Sequence, residues 1–461
     1  MFIQPFAQRR ATRLGPPMAK SAKKMLPAAC PLGRISSATE FSPMRFTFIH
    51  AADLHIDSPL DALGGKDAAV AERFAKAGRK AVASLVDETI AAQAAFLIIA
   101  GDVFDGDWRD YATGLFMVGQ MARLARAGVP VFITRGNHDA ESIVSRNLPD
   151  PPGVMVFGGR KASTHVLEQH RVALHGRSFP AREPPAGFVA SYPAARPGYL
   201  NIGILHTALD GTRGDHAAYA PCTVPQLAAF GYDYWALGHI HAAAIVARDP
   251  WIVYCGNIQG RSVRETGAKG AMRVTVEDGR ILGAEPMVLD AARWAHESVD
   301  IGGCASEHDL IARVEERLAF VHASAGGRPL ALRLTLQGVC ALHARLSARR
   351  ESLVEELRAL ALRLADDFWV ERLVIDTQAP AIAAASRGTD MLDIAALVAA
   401  SASAAGFPDT AAQLTRLLAQ KLPHDLRDAC ASEDAAFQAR LVAQARDLLL
   451  GRMDIGGAEQ S

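Results

Sequence analysis

Apolar runs alternate with helical stretches in the first third of the chain, and polar residues follow each run directly. The runs RFTFIHAADLH (45–55), AAFLIIAGDVFD (94–105) and VPVFITRGNHD (129–139) predict buried strands that end in polar loops. Segments 68–95 and 112–128, which separate them, show a helical period. This alternation predicts an α/β layered fold, in which ligands bind beyond the carboxyl ends of the strands.

Shorter apolar segments follow and predict a second sheet packed on the first. They lie at 154–159, 170–179, 200–207, 232–241, 251–257 and 272–281, with a turn at Asp278-Gly279 and a Pro/Ala/Gly-rich loop at 180–198. We expect this first domain to span residues 44–290. Residues 296–378 then alternate strand, helix, strand, helix and strand, which predicts a small α+β module. Residues 390–452 predict a helical C-terminal region.

The first 43 residues lack this periodicity and carry seven Lys or Arg against the one acid Glu40. They contain no continuous apolar segment typical of a secretory signal. Three interpretations are a targeting segment, a disordered basic extension, and a start codon assigned too early, upstream of Met44. We favour a disordered or artefactual extension over residues 1–43.

Composition narrows the class of protein. The 461 residues are 50% hydrophobic and 21% charged, which is ordinary for a soluble globular protein. The formal net charge is zero, so any contact with nucleic acid requires a local basic patch. The six cysteines form no C-x-x-C pair, which argues against a disulfide framework and favours the cytoplasm. No apolar run approaches the ~18 residues of a membrane span, so no membrane association is expected.

Five polar clusters follow predicted strands within the first 241 residues. They are Asp53-x-His55, Gly101-Asp102 with Asp105, Gly136-Asn137-His138-Asp139, His206, and Gly238-His239-x-His241. Carboxylates, imidazoles and amide oxygens are ligands of hard and borderline metal ions. Each residue taken singly has a commoner interpretation. His206 would be a surface histidine or one with satisfied hydrogen bonds, Asp102 would cap a helix, and Asn137 would lie in a turn. Their succession at five strand ends predicts a metal site.

The order of these motifs resembles the signature of the calcineurin-like metallophosphoesterases, whose fold is a sandwich of two mixed sheets flanked by helices. Within that superfamily the chain resembles the SbcD/Mre-type DNA repair exonucleases, and most closely their YhaO branch. The additional segments that carry this resemblance are ILHTALDG (204–211), YAPCTVPQL (219–227), GYDYWALGHIH (231–241) and GNIQGRSVRETGAKG (256–270). One departure is Ser262, where the resemblance leads us to expect histidine. The module at 296–378 would then be a capping domain.

The resemblance implies a centre of two divalent metal ions, with manganese as the expected ion, although the ligands alone do not decide the metal. Asp102 would bridge the two ions. The implied ligands are Asp53, His55 and His241 for the first ion, and Asn137, His206 and His239 for the second. A water bridging the ions would be deprotonated near neutral pH and attack phosphorus.

The remaining candidates surround this centre. His138 is expected to act at the leaving oxygen as general acid or transition-state stabiliser, oriented by Asp139. Asp105 is expected either to orient a ligand or to cap a helix. The residues expected to contact a phosphate backbone are Arg135, Arg261, Arg264 and Lys269, for which a solvated face is the alternative.

The resemblance implies a metal-dependent DNA nuclease, expected to be an exonuclease acting in DNA repair. Its implied partners are DNA and an SMC-like coiled-coil ATPase of the SbcC or YhaN type, and the resemblance leaves a homodimer open. A phosphodiesterase or phosphatase for a small nucleotide or phosphoprotein is an alternative, against which the C-terminal additions argue. A non-catalytic scaffold is a third, against which His138 and Asp102 argue.

Overall fold

The computed structural model describes residues 44–58, 68–105, 111–141, 151–210, 218–380, 406–421 and 439–445, with a few single positions between 397 and 449. The predicted extension over residues 1–43 lies outside the described residues, as does much of the predicted helical region over 390–452.

The described strands are short in the first domain and longer near the module. They are β1 (Arg45–Ala51), β2 (Leu97–Ala100), β3 (Val131–Thr134), β4 (Val154–Val156), β5 (Ser163–Leu167), β6 (Val172–Gly176), β7 (Leu200–His206), β8 (Tyr234–Gly238), β9 (Ala244–Arg248), β10 (Trp251–Tyr254), β11 (Gly270–Glu277), β12 (Arg280–Val288), β13 (Arg293–Asp300), β14 (Leu330–Val339) and β15 (Phe368–Gln378).

The described helices differ widely in length. They are α1 (Ala68–Ala91), α2 (Tyr111–Arg126), α3 (Asn137–Glu141), α4 (Val224–Ala228), α5 (Glu307–Ser324), α6 (His343–Ala348), α7 (Arg350–Leu364) and α8 (Phe407–Ala419). Short 3₁₀ turns lie at Glu168–His170 and Phe188–Ser191. In the described part of the chain, no helix combines the length and apolar character needed to cross a bilayer.

Two mixed six-stranded sheets form the first domain. The first has the order β12-β11-β1-β2-β3-β4, with β1 to β4 parallel, β11 antiparallel to β1, and β12 antiparallel to β11. The second has the order β5-β6-β7-β8-β10-β9, in which β6, β7, β8 and β10 are parallel. The β11–β12 hairpin turns at Asp278-Gly279 as predicted, and both residues take positive φ, as a type I′ turn requires.

The two sheets pack face to face through a continuous apolar core. Phe48, Ile98 and Phe132 of the first sheet are buried in one cluster with Ile202 and Tyr234 of the second. Helices α1 and α2 cover the outer face of the first sheet through a second cluster. The predicted α/β fold, a sandwich of two sheets flanked by helices, is confirmed.

A third, parallel sheet of order β13-β14-β15 follows the sandwich. Helices α5, α6 and α7 pack on one of its faces around buried leucines. Its other face contacts the sandwich, where Trp294 is buried with Phe74 of α1 and Val263. Arg293 and Arg328 both reach the buried carboxylate of Asp290, at 2.9 and 3.1 Å. The first strand of this sheet is therefore fixed to the end of the sandwich.

Several short elements differ from the expectation. The segment predicted as a loop after β3 begins a short helix at Asn137, because nearby carboxylates accept its first N–H groups. Strands β5 and β9 were not expected either, because both lie at sheet edges and are at most partly buried. The short helices α4 and α6 were also not predicted. None of these differences alters the two-sheet sandwich.

Candidate metal centre

The predicted metal ligands all follow strands of the sandwich. Asp53 and His55 follow β1, Asp102 follows β2 and Asn137 follows β3, all in the first sheet. In the second sheet, His206 ends β7, and His239 and His241 follow β8. Since these strands run parallel within each sheet, their carboxyl ends lie together at one edge of the sandwich.

The backbone at these strand ends is strained. Asp53, His55, Asp102 and His239 have positive φ angles of 51°, 40°, 53° and 95°. Non-glycine residues rarely adopt this region, and each such residue costs on the order of 1 kcal/mol or more. Strain concentrated at one edge is typical of a functional site, where it turns side chains inward.

Glycines allow these loops to approach one another closely. A Cβ on Gly136 would lie 2.2 Å from Asp102 Oδ1, and one on Gly238 would lie 2.0 Å from the carbonyl oxygen of Ala100. Neither position can carry a side chain without displacing backbone or a predicted ligand. The glycines in the G-N-H-D and G-H-x-H motifs are therefore explained by packing against the site.

Two histidines turn their Nε2 atoms toward each other. The Nε2 atoms of His55 and His241 are 3.3 Å apart. The Nδ1 atom of His55 lies 3.1 Å from Asp105, and the Nδ1 atom of His241 lies 2.7 Å from Glu265. A carboxylate acceptor places the proton on Nδ1, which leaves two Nε2 lone pairs facing each other. A cation between the rings would relieve their repulsion.

His206 is oriented in the same way by a backbone group. Its Nδ1 lies 3.0 Å from the carbonyl oxygen of Ala100, and its Nε2 lies 3.1 Å from Asn137 Oδ1 and 3.2 Å from Asp102 Oδ2. Burial opposes a charge on this ring, yet Asp102 raises the pKa of His206 to about 9. The electrostatics of the site therefore draw positive charge to this position.

Two buried carboxylates link the histidines into one cluster. Ligand atoms of Asp53, His55 and His241 lie within 4.8 Å of one another, as do those of Asp53, Asp102 and His206. Asp102 faces both groups, since its Oδ2 is also 3.8 Å from His55 Nε2. Buried anions require compensating positive charge, and burial raises the pKa of Asp53 to about 6.

The donor set fits divalent metal ions. It consists of carboxylate oxygens, imidazole Nε2 atoms and the Asn137 amide oxygen, which suit manganese, iron or zinc. Burial lowers the pKa of His55 to about 4, so the ring is neutral and able to donate its lone pair at neutral pH. His239 is also buried at this edge, with its ring centroid 5.2 Å from that of His206. Its backbone N–H donates to Asp53, at 3.0 Å from Oδ2.

His138 lies beside the cluster and is more exposed than the ligands. Its ring contacts that of His55 edge-on, and its side chain is 36% exposed. Its Nδ1 lies 2.9 Å from Asp105 Oδ1. Partial burial acts against the charged ring, but the hydrogen bond to Asp105 raises the pKa of His138 above its ordinary value. The side chain can hold a proton at the open side of the centre.

The expectation that Asp139 orients His138 is corrected by these contacts, because the carboxylate at the His138 ring is that of Asp105. Asp139 is buried and accepts hydrogen bonds from the backbone N–H groups of Val103, Phe104 and Gly136, at 3.1, 2.9 and 3.2 Å. It therefore joins the loops after β2 and β3. Asp105 also contacts His55, so one carboxylate orients both rings.

The four expected basic contacts have different surroundings. Arg261 reaches the centre, 3.5 Å from Asp105 Oδ2, with a side chain 24% exposed. Lys269 differs from the expectation, because its partly buried Nζ donates to the carbonyl oxygen of His241 at 2.9 Å and so supports the ligand loop. Arg264 is exposed, and Arg135 is partly buried after β3. Ser262, which departs from the expected histidine, accepts from the Arg264 N–H at 3.3 Å.

Glu265 is a residue that the sequence did not single out. It contacts the Nδ1 atom of His241 from the segment GNIQGRSVRETGAKG, 24 positions further along the chain. The hydrogen bond to His241 outweighs burial and holds the pKa of Glu265 below its ordinary value. Its only signal in the sequence was its place in a segment that supports the family resemblance.

Comparisons with known proteins identify the family of the chain. The calcineurin-like phosphoesterase family matches residues 46–243, and the middle domain of metallophosphoesterase YhaO matches residues 294–378. The uncharacterized metallophosphoesterase YhaO of Bacillus subtilis is 33% identical over 339 residues, which cover 72% of this chain and 82% of that protein.

Two more distant similarities extend the comparison. The DNA double-strand break repair protein Mre11 of Methanopyrus kandleri is 27% identical over 212 residues, covering 42% of this chain and 44% of that protein. A solved dimetal phosphatase from Danio rerio matches with a TM-score of 0.31 at 12% identity, covering 53% of this chain and 99% of that one. From the family matches and the YhaO relative, this chain belongs to the calcineurin-like metallophosphoesterases and is a metal-dependent phosphoester hydrolase.

Proposed function

We propose that the chain is a DNA nuclease that hydrolyses phosphodiester bonds at a centre of two divalent ions, with manganese as the expected metal. The observation that carries the proposal is the partly exposed His138–Asp105 pair beside a buried cluster of metal ligands. The similarity to Mre11, a DNA double-strand break repair protein, favours DNA as the substrate, although the match spans less than half of that relative. We expect an exonuclease that acts in DNA repair.

The protein's own residues have separable tasks in this reaction. The metal ligands would be the bridging Asp102, with Asp53, His55 and His241 at one ion and Asn137, His206 and His239 at the other. Bound ions supply a water nucleophile near neutral pH and neutralise charge on the phosphate. His138 keeps its proton next to Asp105 and delivers it to the leaving oxygen. Arg261 and the exposed Arg264 provide positive charge for the phosphate backbone.

A single assay tests the substrate. The purified protein is incubated with Mn²⁺ and labelled single- or double-stranded DNA, beside a nitrophenyl phosphodiester, with His138→Ala as the inactive control. We expect metal-dependent degradation of DNA that a chelator abolishes. Hydrolysis of the small ester with all DNA left intact, both alone and with a YhaN-type ATPase, would contradict the nuclease proposal and favour a small-molecule phosphodiesterase.

We also propose that the C-terminal helical region binds an SMC-like coiled-coil ATPase of the SbcC or YhaN type. Helix α8 exposes Phe407, Leu414 and Leu417, which are 38%, 56% and 52% exposed. Exposed apolar residues on one helix favour contact with another protein. Leu414→Asp combined with Leu417→Asp should abolish co-purification with the ATPase while hydrolysis of the small ester is retained. Unchanged co-purification would contradict this assignment, and homodimerisation stays a prediction.

A further inference from the structure

A loop of the sandwich surrounds one metal ligand without belonging to the ligand set. We call residues 256–269, between β10 and β11, the collar. Four of its residues contact His241. Lys269 Nζ and the Asn257 N–H donate to its carbonyl oxygen at 2.9 and 3.4 Å, and Glu265 Oε1 and Arg261 Nη2 lie 2.7 and 3.4 Å from Nδ1 of its ring. The backbone and the ring of this ligand are thus held from the same loop.

Glu265 is held in place on several sides. Its Oε2 accepts from the Arg261 N–H at 2.8 Å and from Asn257 Nδ2 at 2.9 Å. Its Oε1 lies 2.7 Å from His241 Nδ1 and 3.3 Å from Arg261 Nη2. The side chain is 13% exposed. A carboxylate fixed by three other groups presents one oxygen to the ring in a fixed direction.

The collar is itself attached to the third sheet. The Trp294 indole N–H donates to the carbonyl oxygen of Gly260 at 3.1 Å, and Gln259 Nε2 donates to that of Ala292 at 2.7 Å. The Gly267 N–H donates to the carbonyl oxygen of Trp294 at 3.2 Å. These hydrogen bonds fix the backbone of the collar against the third sheet. Glu265 therefore contacts His241 from a rigid loop.

The two ends of the ligand cluster are supported differently. Charged oxygens hold the rings of His55 and His241, namely those of Asp105 and Glu265, whereas a backbone carbonyl holds His206. A carboxylate on Nδ1 fixes the tautomer and increases the basicity of Nε2 toward a metal ion. Loss of Glu265 should therefore weaken metal binding at the end of the cluster that contains His241. Metal binding at the end that contains His206 should not change.

We propose that Glu265 is a positioning residue that fixes His241 as an Nε2 donor and sets the affinity of one of the two metal positions. The affected position is that of Asp53, His55 and His241. This inference rests on the two-metal centre of the proposed function and is independent of the nature of the phosphoester.

The test is a titration of metal-free protein with Mn²⁺, in which the electron paramagnetic resonance signal of free Mn²⁺ reports binding. We expect two positions in the wild type. Glu265→Ala should weaken one of them by about 10- to 100-fold and leave the other unchanged. Glu265→Gln keeps an oxygen acceptor without the charge and should have an intermediate effect. The matched control Glu285→Gln, at an exposed position on β12, should bind as the wild type does.

Hydrolysis of the nitrophenyl phosphodiester gives a second measurement. At saturating Mn²⁺, turnover by Glu265→Gln should return to within a few-fold of the wild type, because the metal ligands are intact. Unchanged Mn²⁺ affinity in both Glu265 variants would overturn the inference, and so would equal weakening of both positions. A wild type that binds a single ion would instead contradict the two-metal centre, so the two failures are distinguishable.

Discussion

The parallel strands of the sandwich and those of the third sheet end in different ways. After β1, β2 and β3, buried polar side chains converge on one point, and the backbone after β1 and β2 takes left-handed conformations. At the ends of β13 and β15, polar side chains form separate hydrogen bonds: Asp300 Oδ1 accepts from the Gly302 N–H at 2.8 Å, and Thr377 Oγ1 lies 2.7 Å from His343 Nδ1.

The difference between the two regions shows that strand topology alone does not create a functional site. Both regions place the carboxyl ends of parallel strands side by side, so the topology provides a location in each case. Among the described residues, acids and histidines from several strand ends meet in one cluster only in the sandwich. Activity is thus a property of particular side chains at strand ends, and equivalent changes in the two regions should have unequal effects.

The largest effect is expected at Asp102. Asp102→Asn removes a buried charge that faces both ligand groups, and we expect hydrolysis of the nitrophenyl phosphodiester to fall by ~10³-fold or more, since bound metal supplies several kcal/mol of transition-state stabilisation. Asp300→Asn, at the end of β13, should leave the rate unchanged. Similar losses in both variants would show that the contrast between the two regions is false.

A large effect without metal loss is expected at His138. His138→Ala removes the proton donor but no predicted ligand, so turnover should fall by ~10²- to 10⁴-fold while two Mn²⁺ ions still bind. His343→Ala, at the third sheet, serves as the control and should retain full turnover. Loss of Mn²⁺ from His138→Ala would instead make His138 a ligand.

Asp139 should affect stability more than chemistry. Its carboxylate accepts three backbone hydrogen bonds, so Asp139→Ala should lower the free energy of unfolding by about 2–3 kcal/mol in urea titrations. Asp105→Asn should have the opposite profile, with a loss of turnover and a smaller loss of stability, because Asp105 is the partner of His138. The reverse pattern would restore Asp139 as the residue that orients His138.

In the interior of β1, away from its end, the expected effect is on the pH dependence of stability. His50 is buried inside the sandwich, and burial lowers its pKa to about 3, so the unfolded chain takes up its proton first as the pH falls below about 6.5. The stability from neutral His50 is therefore complete above that pH and is lost between about 6.5 and 3, at up to ~1.4 kcal/mol per pH unit. In urea titrations of metal-free protein, His50→Gln should flatten the dependence of the free energy of unfolding on pH in this acid range. The same dependence in the variant and the wild type would show that buried His50 is not its source.

Local patterns in the sequence predicted the α/β class, most strands of the sandwich and the position of the candidate ligands at strand ends. Each ligand motif directly follows an apolar strand, so its position is set by neighbours in the chain. The Asp278-Gly279 turn could be predicted for the same reason. The family resemblance then supplied the grouping of ligands from different strands, which no single motif contains.

Pairings between distant segments could not be obtained in this way. Asp105 and His138 are 33 positions apart, and the choice between Asp105 and Asp139 depends on how two loops pack. Adjacency in the motif favoured Asp139, but its position in the first turn of α3 directs it to backbone N–H groups. Glu265 meets His241 only because the collar folds back over the ligand, which a strand pattern does not reveal.

The most direct test of the central claim is the number of metal ions that the strand ends of the sandwich hold. Equilibrium dialysis of metal-free protein against Mn²⁺, followed by elemental analysis, measures this number for the wild type and for Asp102→Asn. We predict two ions per chain in the wild type, the loss of at least one in Asp102→Asn, and no change in Asp300→Asn. A wild type that binds fewer than two ions, or an Asp102→Asn variant that keeps both, would contradict the account.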